Sequence, residues 1–501
     1  MKRRTLLKAG LIAVPAAATA AIGGTGLWWA GAELNTAGKV RFVNRLAIPP
    51  LAPSRRDGAG GRVFDLRASA GEHRFRAGRP TPTWGINGPY LAPTLRAARG
   101  ETVTVRFRND LPESTTLHWH GMHVPARMDG GPHQPVRPGA TWSPTWTVDQ
   151  PAATLWYHPH PHGRTALHVY RGLAGLFILD DPHPHGLPDR YGIDDIPVIV
   201  RDLNLTGHNE LDERDREQGG VGIVGDLVTV NGTLAPYLPV TTQRVRLRLL
   251  NGSNARIYRF GLDSGRTFAL VGTDGGLLAA PYETGHVQLS PGERAEIVVT
   301  LRPGERDVLR SLPPETGLNL WDRRWTGGDD TLDVMELRAA PRLAPSSPLP
   351  PRLAEAPALV TDPATPPVRR FELSGFTING RSMDMNRIDF AVPQGGTEVW
   401  EVTAIDDAPH NFHVHDAQFQ VVSVGGRLPP PELRGWKDTV HTPPGVPVRI
   451  ALRFRGEPDP ATPYMFHCHI LNHEDQGLMG QFVVTAPGRS ADRPPATHHE
   501  H

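Results

Sequence analysis

Three alternating patterns of apolar and polar residues recur along the chain at nearly regular spacing. In each pattern every second residue is apolar, as in a strand with one buried and one solvated face. Each follows an Asn-Gly pair after a gap rich in turn residues. The stretches are Glu101–Arg108 after Asn87, Gln243–Leu249 after Asn231 and the less regular Thr397–Thr403 after Asn379. Strands of this kind predict antiparallel β-sandwiches.

The spacing of these patterns predicts three similar domains. The three asparagines lie 144 and 148 residues apart, and 501 residues are enough for two to four domains. The abundance of turn formers, with Gly 53 and Pro 51, favours an all-β protein. We expect domains at 45–188, 189–340 and 370–487, a proline-rich linker at 341–369 and a polar tail at 488–501.

The N-terminal segment 1–32 predicts export. Two arginines, Arg3 and Arg4, precede an apolar run from Ala9 to about Ala30, and a small-residue cleavage site follows. This pattern is typical of a Tat-type signal, which would engage the Tat export machinery and deliver a folded protein to the periplasm, the cell surface or the medium. An uncleaved membrane anchor is the alternative, because the run is nearly long enough to span a bilayer. The formal net charge of +1 gives no indication of a nucleic-acid partner.

Histidine pairs follow the strand patterns of the first and third repeats. The equivalent point of the second repeat, Ile257–Phe260, has no histidine, so the middle domain is predicted to act as a spacer. Two further pairs, His183/His185 and His499/His501, are interpreted as loop and tail. The remaining pairs are His118/His120, His158/His160, His413/His415 and His467/His469.

The chain has a single cysteine, Cys468, between His467 and His469. In an extended segment neighbouring side chains point to opposite faces, so one short stretch can serve two metal sites. A thiolate with imidazoles and no second cysteine suits copper better than structural zinc.

Together these motifs resemble the multicopper oxidases, the laccase-like family, over nearly the whole mature chain. The resemblance implies three cupredoxin-like Greek-key β-sandwich domains and four copper ions. It assigns a type 1 copper to His410, Cys468 and His473, and a type 2 copper to His118 and His413. The type 3 pair would be held by His120, His158, His160, His415, His467 and His469. His162 continues the alternation and is expected just outside the ligands.

The same resemblance implies a copper-dependent oxidase that couples one-electron oxidation of phenolic or aromatic donors to the four-electron reduction of dioxygen to water. Oxygen reduction consumes protons, and Asp129 and Glu474 match the family's acidic residues beside the type 2 copper and in the proton relay. Both carboxyl groups could also orient imidazoles, and the two roles are compatible.

The electron donor is less constrained by the sequence. Asp406 matches an acidic position of the family's cuprous oxidases, but Ala408 replaces their methionine and the chain has only eight methionines. A cuprous or other metal-ion oxidase is therefore the alternative to a laccase-like enzyme. Two classes of protein without turnover also compete, a copper-sequestering protein and a copper-free scaffold. The scaffold would lack ligands, and none is missing.

One position departs from the bacterial pattern. Bacterial relatives usually place an axial methionine ten residues after the cysteine, where this chain has Leu478, and Met479 follows. Alternation predicts that the non-ligating Leu478 faces the type 1 copper and Met479 faces away.

Overall fold

The computed structural model describes residues 33–181, 186–214, 220–360 and 362–487. The predicted signal segment, the polar tail and the pair His183/His185 lie outside these residues. Within the described part of the chain, no helix is both long enough and apolar enough to cross a bilayer.

The first domain is a sandwich of two sheets. One sheet has the order β2-β3-β6-β8, with β4 beside β3 and β9 beside β6, and the other has the order β5-β11-β10-β7. Apolar side chains between the sheets form its core. The helix α1 (Thr165–Arg171) and a 3₁₀ turn (Ala126–Met128) lie in its loops. The strands of this part of the chain are β1 (Asn44–Arg45), β2 (Ser54–Arg56), β3 (Arg62–His73), β4 (Thr81–Ile86), β5 (Leu95–Ala98), β6 (Thr102–Asn109), β7 (His118–His120), β8 (Thr141–Trp142), β9 (Thr145–Thr147), β10 (Ala153–His158) and β11 (Gly175–Asp180).

The second domain has sheets of order β14-β13-β12-β16-β21-β18-β19 and β1-β15-β23-β22-β17-β20. Its loops contain the helix α2 (Leu320–Trp325). Its strands are β12 (Asp195–Leu203), β13 (Leu227–Val230), β14 (Thr233–Leu234), β15 (Pro236–Thr242), β16 (Arg244–Asn251), β17 (Tyr258–Leu262), β18 (Phe268–Thr273), β19 (Gly276–Thr284), β20 (His286–Leu289), β21 (Arg294–Thr300), β22 (Arg306–Leu312) and β23 (Leu332–Ala344).

The third domain has sheets of order β25-β24-β27-β32-β29-β30 and β26-β34-β33-β28-β31. A 3₁₀ turn (Pro431–Leu433) and the short helix α3 (Leu471–Asp475) complete it. Its strands are β24 (Arg369–Ser374), β25 (Thr377–Ile378), β26 (Phe390–Pro393), β27 (Thr397–Ala404), β28 (His410–Val414), β29 (Phe419–Val424), β30 (Trp436–Lys437), β31 (Thr439–Thr442), β32 (Val448–Arg453), β33 (Asp459–His467) and β34 (Met479–Thr485).

The repeated asparagines play the same role in all three domains. Asn87, Asn231 and Asn379 adopt left-handed conformations with φ of 50–52°, which asparagine tolerates better than most residues. Each side chain accepts a hydrogen bond from a backbone N–H of the neighbouring strand, at Arg67, Ile199 and Glu372 respectively. Each also donates to the carbonyl two residues earlier on that strand. In each domain the strand with the alternating pattern pairs in parallel with that same neighbour, as β3–β6, β12–β16 and β24–β27. The prediction of three similar sandwiches is confirmed.

Two domain boundaries differ from the predicted ones. The strand β1 pairs with β15 of the middle domain, and Leu46 packs in the core of that domain, so the chain enters the first domain later than residue 45. At the other end, β23 continues to Ala344, beyond the predicted boundary at 340. The linker then runs over the middle domain, where Leu353 is buried, and reaches the third domain at Gln420.

The solvated face predicted for the second strand pattern is wrong. Arg246 and Arg248 on β16 are buried because they pair with Glu296 and Asp195 at the contact with the first domain. Thr154 of β10 bonds to both Arg248 and Glu296. The polar half of this strand therefore faces another domain and not water.

Candidate metal centres

Two antiparallel strand pairs position the histidine pairs. In the first domain, β10 runs antiparallel to β7, with His158 opposite His118 and Trp156 opposite His120. In the third domain, β28 pairs with β33, so that His413 lies opposite His467. The second member of each pair lies two residues along the chain from the first, on the same face.

The eight paired histidines meet in one buried cluster at the contact between the first and third domains. Ring stacking crosses this contact twice, between His118 and His415 with centroids 3.9 Å apart and between His120 and His413 at 3.8 Å. The Nε2 atom of His467 lies 3.1 Å from Nε2 of His160 and 3.3 Å from Nε2 of His415. The remaining rings, His158 and His469, have centroids 5.2 Å apart. All eight side chains are at most 1% exposed.

One nitrogen of most of these rings is held from outside the cluster, and this leaves the other nitrogen directed inward. His118, His158 and His413 donate from Nδ1 to backbone oxygens, of Asp129, Pro159 and Asp438 respectively. His120 is reversed, because its Nε2 atom donates to the Asp438 carboxylate at 2.9 Å and Nδ1 therefore points inward. Nε2 of His118 and of His413 has no hydrogen-bond partner among the described residues. Buried nitrogens without partners fit a site for cations.

Burial lowers the pKa of seven of the eight cluster imidazoles and so favours their neutral form. It lowers the pKa of each of six rings well below its usual value, and the charges that neighbouring rings would carry lower it further; these rings are His120, His158, His160, His413, His415 and His469. Burial likewise lowers the pKa of His467 to about 3. Metal ligation requires neutral imidazole, so the cluster is in the form that binds a metal.

A second group, made of His410, Cys468 and His473, lies within the third domain. Sγ of Cys468 lies 3.7 Å from Nδ1 of His473, which lies 3.2 Å from Nδ1 of His410. Burial alone would raise the pKa of the thiol, but hydrogen bonds to the two imidazoles lower it to about 6. A thiolate and two imidazoles match a trigonal His₂Cys copper site.

The segment His467–Cys468–His469 joins the two groups. His467 ends β33, and its ring and that of His469 belong to the eight-histidine cluster, whereas Cys468 belongs to the group with His410 and His473. Asn411 stabilises this arrangement, since its Oδ1 atom accepts hydrogen bonds from the backbone N–H of His469 at 2.6 Å and from Sγ of Cys468 at 3.5 Å.

Comparison with known proteins agrees with this geometry. Family models described as multicopper oxidase match residues 68–184, 194–307 and 354–488. A multicopper oxidase of Staphylococcus haemolyticus is 36% identical over 453 residues, which cover 88% of this chain and 93% of the relative. The chain belongs to the multicopper oxidase family. Its three sandwiches are accordingly cupredoxin-like domains, and membership implies copper binding, dioxygen as the electron acceptor and a reducing substrate.

Other relatives of this multicopper oxidase have names that indicate different functions. The cell division protein FtsP of Escherichia coli is 36% identical over 456 residues, covering 88% of this chain and 92% of that protein. A laccase from Pediococcus acidilactici superposes with a TM-score of 0.79 at 35% identity, covering 88% and 93% of the two chains. A laccase-like enzyme from Ochrobactrum, described as having oxidase activity towards lignin model compounds, gives the same TM-score at 34% identity, covering 88% and 100%.

The two predicted acidic residues both contact the histidine cluster of this family member. Asp129 accepts a hydrogen bond from Nδ1 of His415 at 2.7 Å. Glu474 places one carboxyl oxygen 3.3 Å from Nδ1 of His160 and the other 3.2 Å from Nδ1 of His467. Burial raises the pKa of the Glu474 carboxyl group well above its usual value, which favours its protonated form.

Two further predictions concern the position of His162 and the residue at the axial position of the His₂Cys group. His162 is exposed, and its expected place just outside the ligands stays a prediction. Leu478 is fully buried in the same apolar cluster as Cys468 and donates its backbone N–H to the carbonyl of His473. Met479 instead lines a cavity of about 280 Å³ with Phe371 and Phe466. The absence of a coordinating side chain at Leu478 stays a prediction.

Sequence reasoning missed two residues that support the cluster, Asp438 of the third domain and Arg294 of the middle domain. Asp438 bonds to His120 and His413, and its carboxylate forms a buried ion pair with Arg294. No local spacing pattern identifies either residue, because the two come from different domains. The middle domain is therefore more than the predicted spacer.

Proposed function

We propose that the protein is a laccase-like oxidase that removes single electrons from phenolic or other small aromatic donors and reduces dioxygen to water. The observation that carries this proposal is the segment His467–Cys468–His469, which joins a His₂Cys group to a buried cluster of imidazoles. A protein that only binds copper has no need for a short covalent path between two sites.

Four copper ions fit the ligands of the two groups. One would be held by His410, Cys468 and His473, and three by the eight-histidine cluster, of which His118 and His413 would hold the type 2 ion. Copper in these sites supplies one-electron chemistry at the first group and four-electron reduction of dioxygen at the second. The protein fixes most of the imidazoles through their outer nitrogens, so little reorganisation is required when charge changes.

Protons for the formation of water are assigned to the buried acids. Burial raises the pKa of Glu474, and its carboxyl group lies beside the outer nitrogens of two cluster histidines. It can hold a proton at its carboxyl oxygen and release it towards the cluster. Asp129 is assigned to the opposite side, next to His415 and His118.

Donor oxidation is assigned to the exposed side of the His₂Cys group. His410 donates from Nε2 to Oδ1 of Asp406 at 3.0 Å, and the Asp406 side chain is 26% exposed. A carboxylate there can accept the proton that a phenol loses with its electron. The laccase and the lignin-active enzyme among the similar structures support an aromatic donor.

A copper count combined with an oxygen-uptake assay tests the proposal. The purified protein should contain about four coppers, be blue and consume oxygen when an electron-rich phenol is added. Four coppers without oxygen uptake would favour a sequestering protein. Absence of copper after reconstitution would favour a copper-free scaffold.

Oxidation of Cu(I) or another metal ion is the second candidate, favoured by the Asp406 carboxylate beside His410. Ala408 and the small number of methionines count against it, because thioethers are the preferred ligands of Cu(I). Steady-state oxygen consumption with a phenol and with chelated Cu(I) decides between them. A strong preference for Cu(I) would reverse the assignment.

We also propose Tat-dependent export, on the basis of Arg3, Arg4 and the apolar run that follows. Replacement of both arginines by lysine should retain the protein in the cytoplasm, as measured by cell fractionation. Unchanged export of that variant would contradict the proposal.

A further inference from the structure

We propose that the turn Ser290–Arg294 of the middle domain positions ligands of both copper centres. This inference rests on the copper assignments of the proposed function. The turn joins β20 to β21 and reaches the contact between the two outer domains. It has three separate contacts there, through Arg294, Gly292 and the pair Ser290–Pro291.

Arg294 connects all three domains to the ligand His120. Its guanidinium group is fully buried and donates two hydrogen bonds to the Asp438 carboxylate, at 2.7 Å and 2.6 Å. It also donates to the backbone oxygens of Thr154 in the first domain and Asp274 in the second. Asp438 in turn accepts from Nε2 of His120. Because the guanidinium is planar and its donors are fixed, it sets the orientation of the carboxylate, and the carboxylate sets which nitrogen of His120 faces the cluster.

Gly292 provides the surface on which the ring of His469 rests. A Cβ atom at this position would lie 3.0 Å from Cγ and from Nδ1 of His469, closer than ordinary van der Waals contact. Neither nitrogen of His469 has a hydrogen-bond partner among the described residues. The orientation of this ring therefore depends on packing, and the bare backbone of Gly292 is part of that packing.

Ser290 and Pro291 act on the segment that joins the two centres. Asn411 donates from Nδ2 to Oγ of Ser290 at 3.0 Å and to the carbonyl of Pro291 at 2.8 Å. These bonds fix the amide so that Oδ1 can accept from the backbone of His469 and from Sγ of Cys468. One turn of a domain without predicted ligands thus reaches His120, His469 and Cys468.

The test compares two glycines of the middle domain that share a backbone conformation. Gly292 has φ +86° and Gly304 has φ +74°, but a Cβ at Gly304 would meet no atom within 4 Å. Asparagine tolerates this backbone conformation. Gly292→Asn and Gly304→Asn therefore differ mainly in whether the new side chain clashes with the ring of His469. Copper content, the blue band and the electron paramagnetic resonance spectrum are measured for both variants and for wild type. The melting temperature of each copper-free variant serves as the folding control.

We expect Gly292→Asn to lose at least one cluster copper or to show a changed cluster spectrum while the blue band keeps its intensity. Gly304→Asn should match wild type. Wild-type copper content and cluster spectra in Gly292→Asn would overturn the inference. If the asparagine variant does not fold, Gly292→Ala and Gly304→Ala give the same comparison with Cβ alone. A wild-type protein without copper would instead refute the proposed function.

Discussion

The two proposed copper centres differ in how many domains they need. His410, Cys468 and His473 all belong to the third domain, on β28, directly after β33 and on α3. The eight-histidine cluster takes four ligands from the first domain and four from the third. Folding of one domain brings the first set together, whereas the second set also requires correct docking of two domains.

The docking interface behind the cluster is polar and buried. Besides the Arg294–Asp438 pair, Lys437 of the third domain contacts Asp274 and Glu293 of the middle domain at 2.9 Å and 2.7 Å. Buried ion pairs add little net stability, but removal of one partner is costly and the geometry of a pair is specific. We infer that these charges select one arrangement of the domains, and the cluster depends on that arrangement more than the His₂Cys group does.

The largest effect is expected from a substitution that removes the His₂Cys centre and leaves the eight-histidine cluster in place. Cys468→Ser should abolish the blue colour and the oxidase activity, because the hydroxyl group does not replace the thiolate as a copper ligand. The variant should retain about three coppers in the cluster, as measured by elemental analysis and absorption. A blue Cys468→Ser protein would contradict the assignment of the ligands.

The opposite test perturbs only the eight-histidine cluster, by replacing Asp438, which accepts a hydrogen bond from His120. Asp438→Asn removes the nearer of the two carboxylates that face the buried Arg294 and leaves only Asp274, at 3.8 Å. This should lower the free energy of unfolding by about 3 kcal/mol. Cluster copper should be lost while the blue band persists. The control is Asp149→Asn, since that side chain is 75% exposed in its ion pair with Arg99. Equal copper content in the two variants would show that Asp438 does not support the cluster.

Local patterns in the sequence were sufficient to predict most of the fold and to identify the residues that meet in the two groups. Asn87, Asn231 and Asn379 occupy equivalent turns because one local hydrogen-bond arrangement recurs in each sandwich. The histidine pairs were identifiable because two ligands on one strand face are two residues apart. Both patterns lie within a few residues of the chain, so they can be recognised without knowledge of the tertiary structure.

Contacts between domains could not be predicted in this way. Alternation on β16 was recognised, but it does not distinguish a face that meets water from one that meets Glu296 and Asp195. Asp438 and Arg294 come from separate domains, so no spacing connects them. The placement of β1 in the middle-domain sheet likewise depends on tertiary packing.

An intermediate effect is expected from replacement of Glu474, the acid that lies beside His160 of the first domain and His467 of the third. Glu474→Gln keeps the shape of the protonated carboxyl group but cannot release a proton to the cluster side. Reoxidation by dioxygen should slow by about 10²-fold or more, whereas reduction of the His₂Cys centre by substrate stays nearly unchanged. Stopped-flow measurements separate these two half-reactions. Reoxidation at the wild-type rate would exclude the proton-relay role.

The smallest effect is expected within the third domain, on the reduction potential of the His₂Cys site. Leu478 shares the apolar cluster of Cys468, and its carbonyl accepts the backbone N–H of that residue at 3.1 Å. Met479 lies on β34 opposite His467 and lines a cavity together with Phe371 and Phe466. Because an aliphatic side chain cannot donate to Cu(II), the reduction potential of the His₂Cys site should be high, which favours donors that are hard to oxidise. Redox titration of the blue band should therefore show a lower potential in Leu478→Met and little change in Met479→Leu. A large rise in Met479→Leu would instead identify Met479 as the axial ligand, reached by a local shift of the strand that leaves the eight-histidine cluster untouched.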